Sequence, residues 1–326
     1  MGGNQWNGYQ ETNAVSLPDR VEIVEVGMRD GLQIEPEFVP TETKAEILNA
    51  LIDAGVRHFE ATSFVSPRAV PQLRDARELL AQVRKRPGVV LGALAPNLKG
   101  VQNALQSQAD EIVVFLSATE SHNTKNLNRP IAQSLRDIEE IAEALQDRPI
   151  RRKGAIAVAF GCPFEGDVDL ARVKSIFGHF ARLGFDAVTL GDTTGMATPR
   201  LVRRTVEALR DAHPDVAISL HFHNTRGIGL VNVAEGLRAG VTSYESSLGG
   251  LGGCPFAPGA TGNICTEDLI YLLDEMGVDS GIDLRALIEV ARRLERVVGR
   301  QLPGQLMKAG PRLHLHDYGA AAGAIG

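Results

Sequence analysis

The chain has 326 residues, 44% of them hydrophobic, with a mean hydropathy of −0.06 and a formal net charge of −6. That length buries a large core, as one big domain or two ordinary ones, and no apolar run approaches the roughly 18 residues that a membrane helix needs. The acidic balance argues against a nucleic-acid surface as the main business, while leaving room for a local basic patch toward a phosphorylated ligand.

Three cysteines, Cys162, Cys254 and Cys265, are too few and too scattered for a disulfide framework or a zinc site. A reducing, cytoplasmic setting fits them best. Residues 1–19 are polar, lack an apolar signal core and carry no arginine before Arg20, which speaks against a secretory signal or an Arg-rich transit peptide. They read as a mobile tail.

From Arg20 onward, short apolar runs alternate with longer amphipathic ones. The predicted strands are 21–26, 57–61, 89–95, 111–116, 154–160, 187–190, 217–222 and 243–246. The predicted helices between them cover 41–54, 70–83, 97–108, 132–146, 170–183, 198–212 and 229–239. Several helices close on a glycine, as at Ala54-Gly55, Leu183-Gly184 and Ala239-Gly240. Strands alternating with helices require a parallel sheet, and eight such units over about 230 residues match a TIM (β/α)8 barrel. A doubly wound open sheet is the alternative, but no Gly-x-Gly-x-x-Gly follows the first strand.

Past Gly249 the chain enters a Gly-rich loop, 249–263, followed by further helices over 266–275 and 283–298. The Gly/Ala-rich remainder, 301–326, reads as a flexible tail. The expected organisation is therefore a tail (1–19), one barrel domain with its loop and C-terminal helices (20–300), and a second tail (301–326).

In a TIM barrel, reactive residues sit at the C-terminal ends of strands. Those positions hold Arg29 and Asp30 after the first strand, Glu60 on the second, Asp192 on the sixth, and His221 and His223 on the seventh. The loop after the eighth holds Cys254 and Asn263. An adjacent arginine and aspartate can serve an oxyanion and a hard cation together. His221 and His223, two apart on a strand, share one face. A pair of satisfied core histidines is the bland reading, but with an aspartate at another strand end metal ligation is favoured. Two imidazoles, one carboxylate and the Asn263 amide oxygen suit Mg2+ or Mn2+ better than tetrahedral zinc. Glu60 and Asp192 stand as further ligands, general bases or anchors for Arg29. Cys254, flanked by glycines and Pro255 in a loop, fits a proton donor or nucleophile better than a packing cysteine. Cys162 and Cys265 fit packing.

The stretches Glu25-Val-Gly-Met-Arg-Asp-Gly-Leu-Gln33, Thr62-Ser-Phe-Val-Ser-Pro67, Gly161-Cys-Pro-Phe-Glu-Gly166, Leu190-Gly-Asp-Thr-Thr-Gly195 and Gly250-Leu-Gly-Gly-Cys-Pro255 with Gly262-Asn263 together resemble 3-hydroxy-3-methylglutaryl-CoA lyase. That family belongs to the TIM-barrel metallolyases, which also include isopropylmalate and homocitrate synthases. The resemblance runs in order from about Val21 to Val298. It implies Asp30, His221, His223 and Asn263 as ligands of a divalent cation, and Arg29 and Gln33 as substrate-binding residues. It implies Arg29, Cys254, Asp192 and Glu60 as catalytic residues, Cys254 being the acid. It further implies an acyl-CoA thioester substrate, a homodimer, and leucine breakdown and ketone-body formation as the usual setting.

Three departures from the family pattern border the pocket: Met28 for proline, Ile34 for asparagine, and His223-Asn-Thr-Arg-Gly227 for His-Asp-Thr-Tyr-Gly. They keep every ligand and leave the acyl group open, with citramalyl or longer-branched analogues as rivals. A Claisen-type synthase and a non-catalytic scaffold are the other readings. The Cys254 loop opposes the first, and the intact ligand set opposes the second. Lys125, Arg129 and Arg151-Arg152-Lys153 are either CoA-phosphate contacts or a solvated basic face.

Overall fold

The structure, a computed structural model, describes residues 16–253, 262–313 and 315. Among these, eight strands form: β1 (Glu22–Glu25), β2 (His58–Ser63), β3 (Val90–Leu94), β4 (Glu111–Ser117), β5 (Arg151–Ala157), β6 (Ala187–Asp192), β7 (Ala217–Phe222) and β8 (Ser243–Ser246). All pair in parallel with their sequence neighbours, and β8 pairs back onto β1, so the sheet closes into the predicted TIM barrel.

Helices return the chain along the outside: α1 (Thr41–Asp53), α2 (Ala76–Gln82), α3 (Leu98–Gln106), α4 (Glu120–Leu127), α5 (Ile131–Leu145), α6 (Leu170–Arg182), α7 (Pro199–Ala212) and α8 (Gly229–Arg238). Three more follow β8: α9 (Thr266–Glu275), α10 (Leu284–Val298) and α11 (Leu306–Ala309). The local chemistry is plain in α7. Thr198 accepts a hydrogen bond from Leu201 N at 3.3 Å, Pro199 opens the first turn, and Val202, Thr205, Val206 and Leu209 form the buried stripe. Helix α4 is unpredicted. Its sequence, Glu-Ser-His-Asn-Thr-Lys-Asn-Leu, has no apolar stripe to announce it.

The two faces of the barrel wall differ. Phe59, Ile112, Val114, Leu190, Leu220, Phe222 and Tyr244 are buried on alternate positions, as strands packed under helices require. The intervening positions carry polar and charged groups. Lys153 of β5 and Thr189 of β6 both donate to Glu245 Oε1 of β8, each at 2.6 Å. These strands are not neighbours of β8, so the contacts cross the lumen. Deeper toward the strand beginnings, His58 of β2 meets Glu111 of β4 at 2.9 Å. Charge, not aliphatic packing, thus fills part of this barrel's interior.

One expectation fails. Residues 302–309 are not a loose tail but pack under the barrel mouth. Leu302 is 1% exposed and Met307 3%, Gly304 N donates to Gly249 O at 3.3 Å, and Leu306 N donates to Asp268 Oδ1 at 2.8 Å. Buried apolar side chains spaced through a Gly/Ala-rich stretch are a weak sequence signal, which is why this stretch looks disordered on paper. The end of the other expected tail is in place too, with Leu17 against the core and Asp19 O accepting from Asp279 N at 2.9 Å; residues 1–15, 314 and 316–326 lie outside the described residues. Among the described residues, the exposed large hydrophobics are Ile34, Phe164, Val231, Leu313 and Leu315. None lies on α9 or α10, whose outward apolar side chains, Tyr271, Leu272, Val297 and Val298, are half-buried. No described helix is long and apolar enough to cross a membrane.

Candidate metal and acid–base site

At the end of β1 the chain winds into one wide helical turn, 27–31. The Val26 carbonyl accepts from the backbone N–H groups of Arg29, Asp30 and Gly31, at 3.0, 2.7 and 3.3 Å. This turn holds Arg29 and Asp30 at the C-terminal mouth. The Arg29 fork is held on two sides: Nε donates to Glu60, and Nη1 donates to Asp30 Oδ1 at 2.6 Å. Glu60 is therefore an anchor of Arg29, one of the roles left open by the sequence. Gln33 Nε2 donates to the same Asp30 oxygen at 2.9 Å.

Asp30, His221 and His223 come together, each offering one ligand atom within 4.8 Å of the others. His223 Nε2 lies 3.8 Å from Asp30 Oδ2, and the two imidazole centroids are 5.1 Å apart. Asn263 arrives from the far side of the Gly-rich loop. Asn224 N donates to Gly262 O and Ile264 N to Phe222 O, both at 3.0 Å, so residues 262–264 are added alongside the end of β7. The Asn263 amide donates to Asp30 Oδ2 at 2.8 Å and to Leu251 O at 3.0 Å. Gly252 makes room for it. Its φ is +113°, and a Cβ there would fall 2.7 Å from Asn263 Nδ2.

Two observations fit a divalent cation to this set. Asn263 Oδ1 is buried without a hydrogen-bond partner, an arrangement that costs free energy unless a cation or donor reaches it. In addition, the buried groups in contact at the site carry uneven charge. Arg29 and Lys153 oppose Asp30, Glu60 and Glu245, a formal excess of one negative charge. Imidazoles, which bind a cation once deprotonated, and hard oxygens, with no thiolate among the described ligands, suit such an ion.

The electrostatics separate the carboxyls. Burial pushes Asp30 up, but the Arg29 charge and the two histidines outweigh it and hold Asp30 below the usual carboxylate range. Burial wins at Glu60, whose carboxyl is raised despite Arg29. Burial also pushes Asp192 up to about 6. Asp192 joins neither Arg29 nor the three-residue cluster. Its Oδ1 accepts from Met196 N at 2.6 Å and Ala197 N at 2.9 Å, while its buried Oδ2 has no hydrogen-bond partner. Cys254 lies outside the described residues. Cys162 and Cys265 are buried, as packing requires.

Sequence reasoning missed several groups. Glu245 accepts from His221 Nδ1 at 2.9 Å. Lys153, read on paper with Arg151 and Arg152 as a basic cluster, is 2% exposed and paired to Glu245 inside the barrel. Its neighbours Arg151 and Arg152 start β5, at the end of the barrel opposite the site. The cluster is therefore no CoA-phosphate contact for this mouth. Arg129 is likewise committed, to Asp137. Arg226, standing where the family pattern has tyrosine, donates to Thr194 O at 3.0 Å and Gly195 O at 2.7 Å, tying two mouth loops together.

Two more buried carboxyls hold the stem of the Gly-rich loop. Glu25 accepts from Gly27 N at 2.7 Å, Leu248 N at 2.9 Å and Thr266 Oγ1 at 2.6 Å. It thus joins the Arg29–Asp30 turn to the loop stem. Glu267 accepts from Gly249 N at 3.0 Å. Burial pushes Glu25 up to about 7 and Glu267 up to about 8, from an ordinary value of 4.5. The folded protein therefore holds more protons than the unfolded chain between 4.5 and about 8, and stability falls as pH rises through that window. Ionising either group in place costs on the order of 3 kcal/mol. Asp30 and Glu245 act oppositely, losing stability only as pH falls below the ordinary carboxylate range. The thermal midpoint of metal-free protein is expected to be highest near pH 5 and to drop toward pH 8, by roughly several degrees. Scanning calorimetry across that range checks this, and a midpoint that climbs with pH contradicts it.

A family model described as HMGL-like matches residues 20–294. Hydroxymethylglutaryl-CoA lyase YngG of Bacillus subtilis is 40% identical over 288 residues, which is 88% of this chain and 96% of that protein. A Pseudomonas aeruginosa protein named 3-hydroxy-3-isohexenylglutaryl-CoA/hydroxy-methylglutaryl-CoA lyase is 40% identical over 295 residues, 90% of this chain and 98% of that one. Among solved structures, an HMG-CoA lyase from Acinetobacter baumannii in complex with coenzyme A and 3-methylmalate superposes with a TM-score of 0.88 at 44% identity, covering 92% of this chain and 98% of that chain.

Proposed function

The chain belongs to the HMGL-like family, and on that ground we propose that it cleaves 3-hydroxy-3-methylglutaryl-CoA to acetyl-CoA and acetoacetate, with Mg2+ or Mn2+ held by Asp30, His221, His223 and Asn263. The observation that carries this reading is the convergence of Asp30, His221 and His223 beside an Asn263 amide oxygen that has no other partner.

When bound, the cation supplies Lewis acidity that lowers the pKa of the substrate's tertiary hydroxyl. Asp192, at about 6 and with a free Oδ2, is placed in the role of the base that takes the hydroxyl proton. The carbon–carbon bond then breaks, its electron pair passing to the acetyl-CoA carbon, while the former hydroxyl oxygen becomes the acetoacetate ketone. Arg29 holds the enolate oxygen as its charge develops, and Glu60 keeps the guanidinium aligned. The Cys254 thiol gives its proton to the enolate carbon. Gln33 contributes a polar contact to the substrate from the short 3-10 turn, Leu32–Ile34, that follows.

Longer-branched substrates are the second reading. The Pseudomonas relative is named for two acyl groups. Ile34, 40% exposed after β1, and Phe164, 43% exposed after β5, put apolar side chains at the same end of the barrel as the site. The reading also makes the protein a homodimer of a reducing, cytoplasmic compartment, which light scattering after size exclusion checks for the oligomer.

The test is acetyl-CoA release from 3-hydroxy-3-methylglutaryl-CoA, with Mg2+ or Mn2+ and with EDTA, beside Cys254→Ser. Metal-dependent release that collapses in the variant supports reaction and substrate together. Metal uptake without release moves the substrate to a longer-branched 3-hydroxyacyl-CoA. Neither uptake nor release overturns the proposal.

A further inference from the structure

We propose that Glu245 is a positioning residue that sets the affinity of His221 for the divalent cation, with Lys153 and Thr189 holding its carboxylate in place. This rests on the cation site proposed above.

The inference begins with valence. A carboxylate only accepts hydrogen bonds, so its partner nitrogen on His221 must carry the proton. That partner is Nδ1, 2.9 Å from Glu245 Oε2. The bond fixes the tautomer and leaves Nε2 with the lone pair for a cation. An imidazole donating to a carboxylate is also a stronger ligand, and loss of such an outer partner typically costs about 10- to 100-fold in metal affinity.

The second part is rigidity. Glu245 Oε1 accepts from Lys153 Nζ and from Thr189 Oγ1, both at 2.6 Å. One carboxylate thus gathers side chains of four consecutive strands, β5 to β8, beneath the site. Glu245 is 3% exposed and Lys153 2%, so neither has water to fall back on. Free rotation of His221 would break a buried ion-pair network. The wall is pinned, and the imidazole is pinned to it.

The third part is specificity of the carboxylate. Three donors converge on Glu245. A glutamine offers one acceptor oxygen and one donor amide, so it cannot accept from all three on both oxygens as they stand. Glu245→Gln therefore keeps size but loses either the His221 bond or the Lys153 and Thr189 bonds.

The experiment measures Mn2+ binding to metal-stripped protein by electron paramagnetic resonance, without substrate. Glu245→Gln is expected to weaken the dissociation constant about 10- to 100-fold, and Glu245→Asp is expected to fall between it and wild type. Leaving Lys153 buried without its anion threatens folding, so the paired variant Lys153→Met with Glu245→Gln is measured beside it. It is expected to keep the wild-type unfolding midpoint within a few degrees and still bind Mn2+ more weakly. Histidine 15N spectra with Mg2+ should show the Nδ1–H tautomer of His221 in wild type and a mixture in Glu245→Gln. Wild-type Mn2+ affinity in both glutamine variants would overturn the inference and leave the cation site standing. A wild-type protein that takes up no Mn2+ would overturn the cation site itself.

Discussion

Arg29→Lys is expected to lower kcat by about 100- to 1000-fold, with Mn2+ affinity changed far less. The planar guanidinium uses Nε on Glu60 and Nη1 on Asp30, and it must still present N–H to the enolate oxygen. A lysine ammonium is a point charge on a flexible stem and cannot span Glu60 and Asp30 while facing a third oxygen. It does keep the positive charge between two buried carboxylates, so the fold and the cation ligands should survive. The loss should therefore appear in kcat rather than in KM, because enolate charge exists only after the bond begins to break. Steady-state kinetics with saturating Mn2+ reads both constants. Turnover within a few-fold of wild type would refute the role of Arg29.

Asp30→Asn is expected to weaken Mn2+ binding by more than the roughly 100-fold that an outer-partner loss brings, and to lower kcat/KM in step. The substitution is nearly isosteric, yet three donors now point at Asp30: Arg29 Nη1, Gln33 Nε2 and the Asn263 amide. An asparagine amide would set its own N–H2 against at least one of them. It would also cancel the excess negative charge that makes this mouth receptive to a divalent cation. Calorimetric titration of Mn2+ separates the two contributions, since raising the metal concentration should restore part of the rate but not the affinity. Unchanged Mn2+ binding would remove Asp30 from the ligand set.

Arg29 and Asp30 also show how far a linear reading reaches. All eight strands and the helices carrying apolar stripes, such as α7 and α10, are legible because short apolar runs for strands buried on both faces and i, i+3, i+4, i+7 burial in helices write themselves into residue order. The site residues at strand ends are legible for the same reason. Once the barrel is inferred, position along a strand decides which end of the molecule a side chain occupies. The pairing of His221 with His223 follows from the two-residue period alone.

Partners remote in sequence are another matter. Nothing in the order of residues assigns Glu60 rather than Asp192 to Arg29. That choice depends on which strand stands beside the turn after β1, and β2 does. Asp192 is instead spent on its own loop, through the N–H groups of Met196 and Ala197. Lys153 reads as part of a surface cluster with Arg151 and Arg152, because three adjacent cations suggest solvent. Only the lumen of the closed barrel shows that its side chain turns inward to Glu245, under His221. The stretch around Leu302 and Met307 reads as a tail because its few apolar residues lack a period, and it is ordered by contacts to Gly249 and Asp268 that are long-range. The sequence by itself therefore determined the barrel and the end of it at which Arg29, Asp30, His221 and His223 gather. Barrel closure decided which charges neutralise which, because electrostatic pairing acts through a few ångströms of space and is blind to distance along the chain.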